Sequence, residues 1–476
     1  MENIHIINTS SGNSYLYNLT KERLFLVSPD FQKYMNGELA ISEVKSCEYY
    51  KKKLHYFKKH HILDKNVQKR DIASITPEMV EHSLSNTLQI CFEVTDKCNL
   101  ACTYCGYRNM YGGYDERIGT DLDIEKAKTV LDSMCILWSS NNGAFTQKAI
   151  DIAFYGGEPT LNMNFIIQII DYVKSLKCTN RFFTFSMTTN ALLLHKYMDF
   201  LAENEIRLLI SLDGNEKGSI HRKDIHNNPT FERVTRNIDL LKKTYPEYFE
   251  NYVRFNTVLH DKNPIKELYP FFKKRYGKAP RVSTLSASGR NKEYEALFKL
   301  MDRDFYTELN SLKSKKTIMK WMGIETPGYL DFIYFVYQSM GSVYNDYNEL
   351  ITENKHSSYL PTSTCLPFSR KVFVTVNSKL LPCERINQDY VLGYIGKEID
   401  YNQIANKYNT LFNKIKKKCE LCYRYKTCPV CLLSSEGKCN KKTNKVAFTK
   451  WIKHYVEVLE KRPEDYKRIK NQITII

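Results

Sequence analysis

Three thiols lie within eight residues of the chain, Cys98-Asn99-Leu100-Ala101-Cys102-Thr103-Tyr104-Cys105. Cysteines spaced x3 and then x2 can each take one corner of a cubane iron–sulfur cluster, and no fourth cysteine stands nearby to close the cage. One iron is then left open, able to bind a small chelating ligand and pass it an electron, whereas a structural metal site is normally closed by four protein ligands. The same three residues also fit a zinc knuckle completed by a distant side chain.

Other stretches carry groups suited to such a ligand. In Phe154-Tyr155-Gly156-Gly157-Glu158-Pro159, two glycines let the main chain approach closely and offer carbonyls to an ammonium group, and the Glu158 carboxylate suits a cation. Two later segments, Ser186-Met187-Thr188-Thr189-Asn190 and Ser211-Leu212-Asp213-Gly214 followed by His221-Arg222, end apolar runs in polar side chains. A second thiol group reads Cys365-x17-Cys383, then Cys419-x2-Cys422-x5-Cys428-x2-Cys431-x7-Cys439. Paired CxxC units of this kind also build zinc sites in nucleic-acid binders.

The first loop, with aromatic Tyr104 just before its last cysteine, resembles the cluster loop of the radical S-adenosylmethionine (radical SAM) superfamily, and Gly156-Gly157-Glu158-Pro159 is similar to that family's GGEP-type motif. The resemblance implies a four-iron cluster on Cys98, Cys102 and Cys105 that chelates SAM, with Tyr104, Gly156, Gly157 and Glu158 in the SAM seat. It implies Ser186, Thr189 and Asn190 near the ribose, and Ser211 and Arg222 as partners of the methionine carboxylate. Ala191 stands where the family usually has glycine after the asparagine. The seven later cysteines are similar to the SPASM extension of peptide and protein maturases. Ser378 replaces a glycine common there, and the Cys428–Cys431 pair is one residue narrower than usual. Carried over by order, Cys419, Cys422, Cys428 and Cys439 hold one auxiliary four-iron cluster and Cys365, Cys383 and Cys431 the other, making three clusters in all.

The function so implied is reductive cleavage of SAM to a 5′-deoxyadenosyl radical, hydrogen abstraction from a ribosomally made precursor peptide, and closure of a thioether or carbon–carbon crosslink. The auxiliary clusters suit the electron released in closure. The expected partners are the precursor peptide and an electron donor such as flavodoxin or ferredoxin. One alternative is an anaerobic sulfatase-maturating, formylglycine-generating enzyme. The other is a zinc protein that binds nucleic acid.

The elements that must position these residues are legible as periodicity. Strands read at residues 88–94, 150–155, 182–188, 207–212, 252–259 and 281–285, with helical patterns between them near 124–138, 165–176, 195–204, 231–243 and 265–276. Six β–α repeats with near-continuous apolar strands predict a parallel sheet closed into a partial (β/α)6 TIM-like barrel, whose sites form at the carboxyl ends of the strands. Ahead of it, residues 1–75 read as a small α+β, winged-helix-like domain, with strands at 14–19 and 23–27 and a basic helix over Ile41–Ile62. The resemblance makes it a leader-peptide-binding domain. The barrel is expected over 76–290, a helical connection over 291–361, and the SPASM domain with a last helix that stops at Pro463 over 362–476. Residues 362–440 show few long periodic runs and are expected to be held by metal.

Composition bounds the class. Hydrophobic residues make up 42% and aromatics 13% of the 476 residues, which is globular, and no stretch approaches the roughly 18 to 20 apolar residues of a membrane span. The amino terminus lacks the order of a secretory signal, so a cytoplasmic protein is expected, with no membrane partner. In a reducing cytosol the fourteen cysteines favour metal over disulfides, and the scattered Cys47, Cys91, Cys135 and Cys178 read as small core residues. The net charge of +17 would ordinarily point to nucleic acid. Anionic iron–sulfur clusters account for part of the lysine excess, so an acidic peptide is the expected partner rather than nucleic acid.

Overall fold

The structure, a computed structural model, describes residues 2–21, 23–67, 69, 72–140, 149–178, 181–286, 288–321, 360, 362–423, 428, 430–439, 445–461 and 464. The chain forms two compact units, one of residues 1–75, 324–364 and 407–476, the other of residues 76–323 and 365–406. The cysteine-rich carboxyl-terminal stretch is thus shared between the two. The stretch 324–359, where Phe332, Phe335 and Val336 suggest a helix, lies outside the described residues, as does Pro463.

In the first unit, β1 (Ile4–Asn8), β2 (Ser14–Asn18) and β3 (Arg23–Val27) form an antiparallel sheet in the order β1-β2-β3. The β2–β3 pair follows the apolar runs around the polar turn, while β1 adds a strand not read from the sequence. Ser28 caps α1 (Pro29–Met35) by accepting from the Phe31 N–H. Over 41–62 the helix is interrupted: Ser46 adopts φ +60°, and the regular part, α2, runs Cys47–Lys59. Leu16, Val27, Phe31, Val44, Phe57 and Ile62 make the core. Lys51, Lys52, Lys58 and Lys59 remain exposed, the solvated face of an amphipathic helix.

The second unit begins with α3 (Pro77–Ser85) and then alternates strand and helix. In order come β4 (Gln89–Thr95), α4 (Ile124–Ser140), β5 (Ile150–Gly156), α5 (Met163–Ser175), β6 (Phe183–Thr189), α6 (Met198–Glu203) and β7 (Arg207–Ser211). There follow α7 (Phe231–Thr244), α8 (Pro246–Tyr252), β8 (Val253–Val258), α9 (Ile265–Tyr276) and β9 (Arg281–Ser283). Strands β4 to β9 are parallel, each beside the next, because every return crossing is made outside the sheet. The helix-facing residues of the strands, Phe92, Phe154, Ile152 and Ile210, are essentially sealed from solvent, and Phe92 packs edge-on to Phe165 of α5. Helices α10 (Glu295–Met301), α11 (Phe305–Ser311) and α12 (Lys315–Trp321) follow.

The sheet does not stop at these six parallel strands. Strand β10 (Val372–Val374) pairs parallel with β4, and β11 (Lys379–Leu381) and β12 (Gly393–Tyr394) extend it antiparallel to nine strands. Stretch 362–440 also holds a long helix, α13 (Tyr401–Cys419), contrary to the expectation of few periodic runs. Its buried stripe is Ile404, Tyr408, Leu411, Phe412 and Ile415. In the first unit α14 (Lys445–Lys461) buries Phe448, Ile452, Tyr455, Val456 and Leu459 as its periodicity predicts.

Of the four scattered cysteines only Cys91 is buried in the core, against Ala153, Phe373 and Leu381. Cys47 is half-buried. Cys135 and Cys178 are joined in a disulfide, Cα to Cα 5.5 Å, because α4 and the chain leaving α5 run side by side. That corrects the expectation of unpaired core thiols. Among the described residues, no helix is long and apolar enough to cross a membrane.

Candidate functional site

The three-cysteine loop leaves the carboxyl end of β4 and is tied down by main-chain bonds. Ala101 N–H donates to the Lys223 carbonyl (2.7 Å), Thr103 N–H to the His221 carbonyl (3.1 Å) and Cys105 N–H to the Cys102 carbonyl (3.2 Å). Leu100 N–H donates to Cys98 Sγ at 3.4 Å. None of Cys98, Cys102 and Cys105 is in a disulfide. Burial pushes the Cys98 thiol to about 12 and the Cys102 thiol to about 11, the nearby Arg222 opposing the latter shift. Three thiols in one short loop, Cys98 and Cys102 desolvated and Cys98 with an amide N–H aimed at it, are a donor set suited to an iron–sulfur cluster, whose cationic irons offset that desolvation.

Arg117 braces the base of the loop. Its guanidinium donates to the Asp96 carbonyl (2.6 Å) and to Glu93 Oε1 (2.9 Å), and lies 3.3 Å above the Tyr107 ring centroid. Burial raises the Glu93 carboxyl to about 7 despite Arg117.

Beside the loop, β5 ends in Gly156, at φ +139°, and Gly157 follows it. A Cβ on Gly157 would overlap the Lys97 carbonyl oxygen and stand 2.8 Å from that of Asp96, so glycine is required where the two strand ends touch. Glu158 is buried and saturated. It accepts from Thr160 N–H (3.2 Å), Thr160 Oγ1 (2.6 Å), Thr189 Oγ1 (2.7 Å) and Asn190 N–H (2.7 Å). Burial raises its carboxyl even against those four donors. The carboxylate expected to face a cation therefore braces the end of β6 onto that of β5.

Thr189 and Asn190 are drawn to the loop by this brace, and Asn190 Nδ2 donates to Asn99 Oδ1 at 2.7 Å. Ala191, in place of the usual glycine, takes φ +64°, a conformation that costs about 1 kcal/mol or more. Asn237 Nδ2 holds it there through the Ala191 carbonyl (3.0 Å) and that of Leu192 (2.8 Å). Ser186 stands apart. Its hydroxyl donates to Asp151 Oδ2 (2.7 Å), near the amino end of β5, where Asp151 also pairs with Arg207 (2.6 Å). Ser211 is half-buried at the end of β7.

Two residues not singled out from the sequence complete the loop's surroundings, Asp213 and His260. Tyr104 donates its hydroxyl to Asp213, accepts from Arg222 Nη1 at 3.1 Å, and stacks its ring on His260 with centroids 5.6 Å apart. Burial alone would raise the Asp213 carboxyl, but His260, Arg222 and Tyr104 hold it below the usual range. The one available signal was the Asp213-Gly214 pair at a strand end.

The later cysteines divide between the units. Cys365 and Cys383 belong with the sheet, and Arg385 N–H donates to Cys383 Sγ at 3.2 Å. Beside Cys383, Glu384 and Lys371 form a half-buried ion pair of 2.7 Å. Cys419, Cys422, Cys428, Cys431 and Cys439 belong to the other unit. There the end of α13 turns so that Cys422 N–H donates to the Cys419 carbonyl (3.1 Å), and Lys418 Nζ reaches the Cys439 carbonyl (3.2 Å). Cys419, Cys422 and Cys439 thus gather at one helix end, and none of the seven is in a disulfide.

A sequence model of the radical SAM superfamily matches residues 92–273, the span from β4 into α9 that carries the loop, the glycine pair and the strand ends just described. Residues 92–273 are a radical SAM domain. The chain is therefore an enzyme, and its radical SAM domain implies SAM and a four-iron cluster. It is similar to a cysteine-type anaerobic sulfatase-maturating enzyme of Clostridium novyi, 25% identical over 76% of this chain and 92% of that protein. It is also similar to a radical SAM cyclopropyl synthase of Paramaledivibacter caminithermalis, 26% identical over 35% of this chain and 34% of that protein. Among solved structures, native anSMEcpe with bound AdoMet and Cp18Cys peptide matches with TM-score 0.54 and 20% identity, over 81% of this chain and 99% of that chain. That likeness extends the shared fold well beyond the domain.

Proposed function

We propose that this enzyme is a peptide maturase that installs a thioether or carbon–carbon crosslink in a ribosomally made precursor. The observation that carries the reading is the amino-terminal sheet. Among the described residues β3 is an edge strand, with Leu26 exposed and the exposed lysines of α2 in the same unit. An extended, acidic leader segment can add to such an edge through main-chain hydrogen bonds. A peptide is also bound in the similar solved structure, and the similar cyclopropyl synthase is a radical SAM enzyme.

Cys98, Cys102 and Cys105 would hold the four-iron cluster, which would supply the electron for reductive cleavage of SAM. The chain's own residues bind and orient SAM. The carbonyls of Gly156 and Gly157 take the ammonium, Arg222 and Ser211 the carboxylate, and Thr189 and Asn190 the ribose. Glu158 contributes by holding Thr189 and Asn190 in place, and Tyr104 by walling the seat. The cysteines from Cys365 to Cys439 would hold auxiliary clusters, which would supply an acceptor for the electron released in closure, and a flavodoxin- or ferredoxin-type protein would be the electron donor.

The test is mass spectrometry of candidate precursor peptide after anaerobic reaction with enzyme, SAM and reductant. A crosslink removes two hydrogens and leaves every other atom in place. Formylglycine formed from cysteine removes the sulfur, and that product would replace the present reading with the second one, a sulfatase-maturating activity. The second reading is favoured by the 92% coverage of the Clostridium novyi relative. Unmodified peptide, with leader present and SAM cleaved, would refute both for that substrate.

A further inference from the structure

Asp213 follows β7, fully buried, and its two oxygens serve different elements. Oδ1 accepts from Val258 N–H (3.0 Å) and Thr257 Oγ1 (3.3 Å), which closes the end of β7 onto β8. Oδ2 instead accepts the Tyr104 hydroxyl, from a loop 109 positions away in sequence. That hydroxyl accepts in turn from Arg222 Nη1, and Arg222 is 8% exposed and lies beside Cys102. His260 flanks the pair. Its Nδ1 accepts from Lys262 N–H (3.1 Å), so its Nε2 is the nitrogen turned to the carboxylate, 3.7 Å from Asp213 Oδ2. Joining two strand ends needs only Oδ1, so the second oxygen has a separate task.

We propose that Asp213 is a positioning residue for the Cys98–Cys105 loop. It anchors Tyr104 and, through the Tyr104 hydroxyl, keeps the Arg222 guanidinium beside the Cys102 sulfur. The loop's remaining ties to this side run through main-chain bonds to His221 and Lys223, which flank Arg222. Loss of the carboxylate therefore loosens Tyr104 directly and leaves Arg222 a buried cation without its balancing anion. The thiolate set then loses both its registration and the fixed positive charge next to it. The proposal deepens the reading of this loop as the SAM-cluster seat and rests on it for the cluster-loaded arm of the test alone.

The experiment compares wild type with Asp213→Asn, Asp213→Glu and Tyr104→Phe. In unloaded protein, amide hydrogen exchange is read at residues 100–105. Asp213→Asn and Tyr104→Phe should both speed exchange there by roughly tenfold or more, the loss of one charge-assisted hydrogen bond. Asp213→Glu should restore part of the protection. In cluster-loaded protein, both variants should retain iron at the loop while the SAM-induced change in the reduced cluster's EPR signal weakens and the KM for SAM rises. Unchanged exchange at 100–105 in Tyr104→Phe, or faster exchange in Asp213→Asn confined to the Val258 region, overturns the proposal and reduces Asp213 to a strand-end tie. Should Asp213→Asn fail to fold, Tyr104→Phe decides, since it keeps both ring and carboxylate. Wild type that takes up no iron at the loop would overturn the functional reading instead, while the exchange arm still judges Asp213.

Discussion

Gly157→Ala is the sharpest structural test of how the site is assembled. The added methyl would stand 1.9 Å from the Lys97 carbonyl oxygen and 2.8 Å from that of Asp96. Both neighbours are backbone, so no side chain can swing away, and one strand end must move. Two hydrogen bonds are lost in that movement, Gly157 N–H to the Thr95 carbonyl (2.9 Å) and Glu158 N–H to the Lys97 carbonyl (2.8 Å), each worth about 1 kcal/mol. Overpacking adds about 1–3 kcal/mol, for a total of about 3–5 kcal/mol against a domain stability of roughly 5–15 kcal/mol. Urea unfolding followed through the buried Trp138, with Trp321 and Trp451 replaced by phenylalanine, reads the unit that carries the site. The midpoint should fall by more than about 1 M urea. Iron uptake should fall with it, since Lys97 immediately precedes Cys98. Gly112→Ala, where an added methyl meets nothing within 4 Å, is the control and should leave both unchanged. A Gly157→Ala protein with wild-type midpoint and iron content would refute the close approach of β4 and β5.

Further outcomes follow from other parts of the molecule. Glu93 has its carboxyl raised from 4.5 to about 7 by burial, so it favours the folded state below about 4.5 and that advantage is lost as pH rises through 7. The stability of Glu93→Gln minus that of wild type should therefore increase between those pH values and level off above, and a decrease would mean that the Arg117 ion pair outweighs burial. Cys428→Ala should still form 5′-deoxyadenosine but give no crosslinked peptide. Full product yield would argue against an auxiliary cluster on that cysteine. Lys52→Glu with Lys59→Glu on α2 should weaken binding of a leader peptide about tenfold or more at low salt, measured by fluorescence anisotropy, with little change for a leaderless core peptide.

The order of strands and helices was legible because fully buried parallel strands leave near-continuous apolar runs, and the cysteine loop and glycine pair were legible because their spacing is local. Long-range partnerships left no such mark. Nothing in Ser378-Lys379-Leu380-Leu381 announces that the neighbouring β10 docks on β4 some 280 positions earlier, with Val372 beside Ile90. A carboxylate at Glu158 was visible, but its donors Thr189 and Asn190 stand 31 and 32 positions away, and with them its function changes from cation partner to brace. Ser186 was grouped with the strand end by proximity in sequence, although its hydroxyl points to Asp151 at the opposite end. Period-2 alternation separates those two faces only once the register is known. The break at Ser46 had no warning, since a left-handed serine is a tertiary effect in a segment whose periodicity continues on both sides. The Cys135–Cys178 pairing likewise depends on how α4 meets the chain after α5, not on spacing.

Cys98, Cys102 and Cys105 are proposed to seat the cluster at which SAM is cleaved. The most direct measurement of that role is 5′-deoxyadenosine formation by anaerobically reconstituted wild type and Cys98→Ala in the presence of SAM and dithionite, with iron content determined on the same samples. Wild type should form 5′-deoxyadenosine and Cys98→Ala none above background, while that variant keeps iron at the cysteines from Cys365 to Cys439. Cleavage by Cys98→Ala at the wild-type rate would contradict that role.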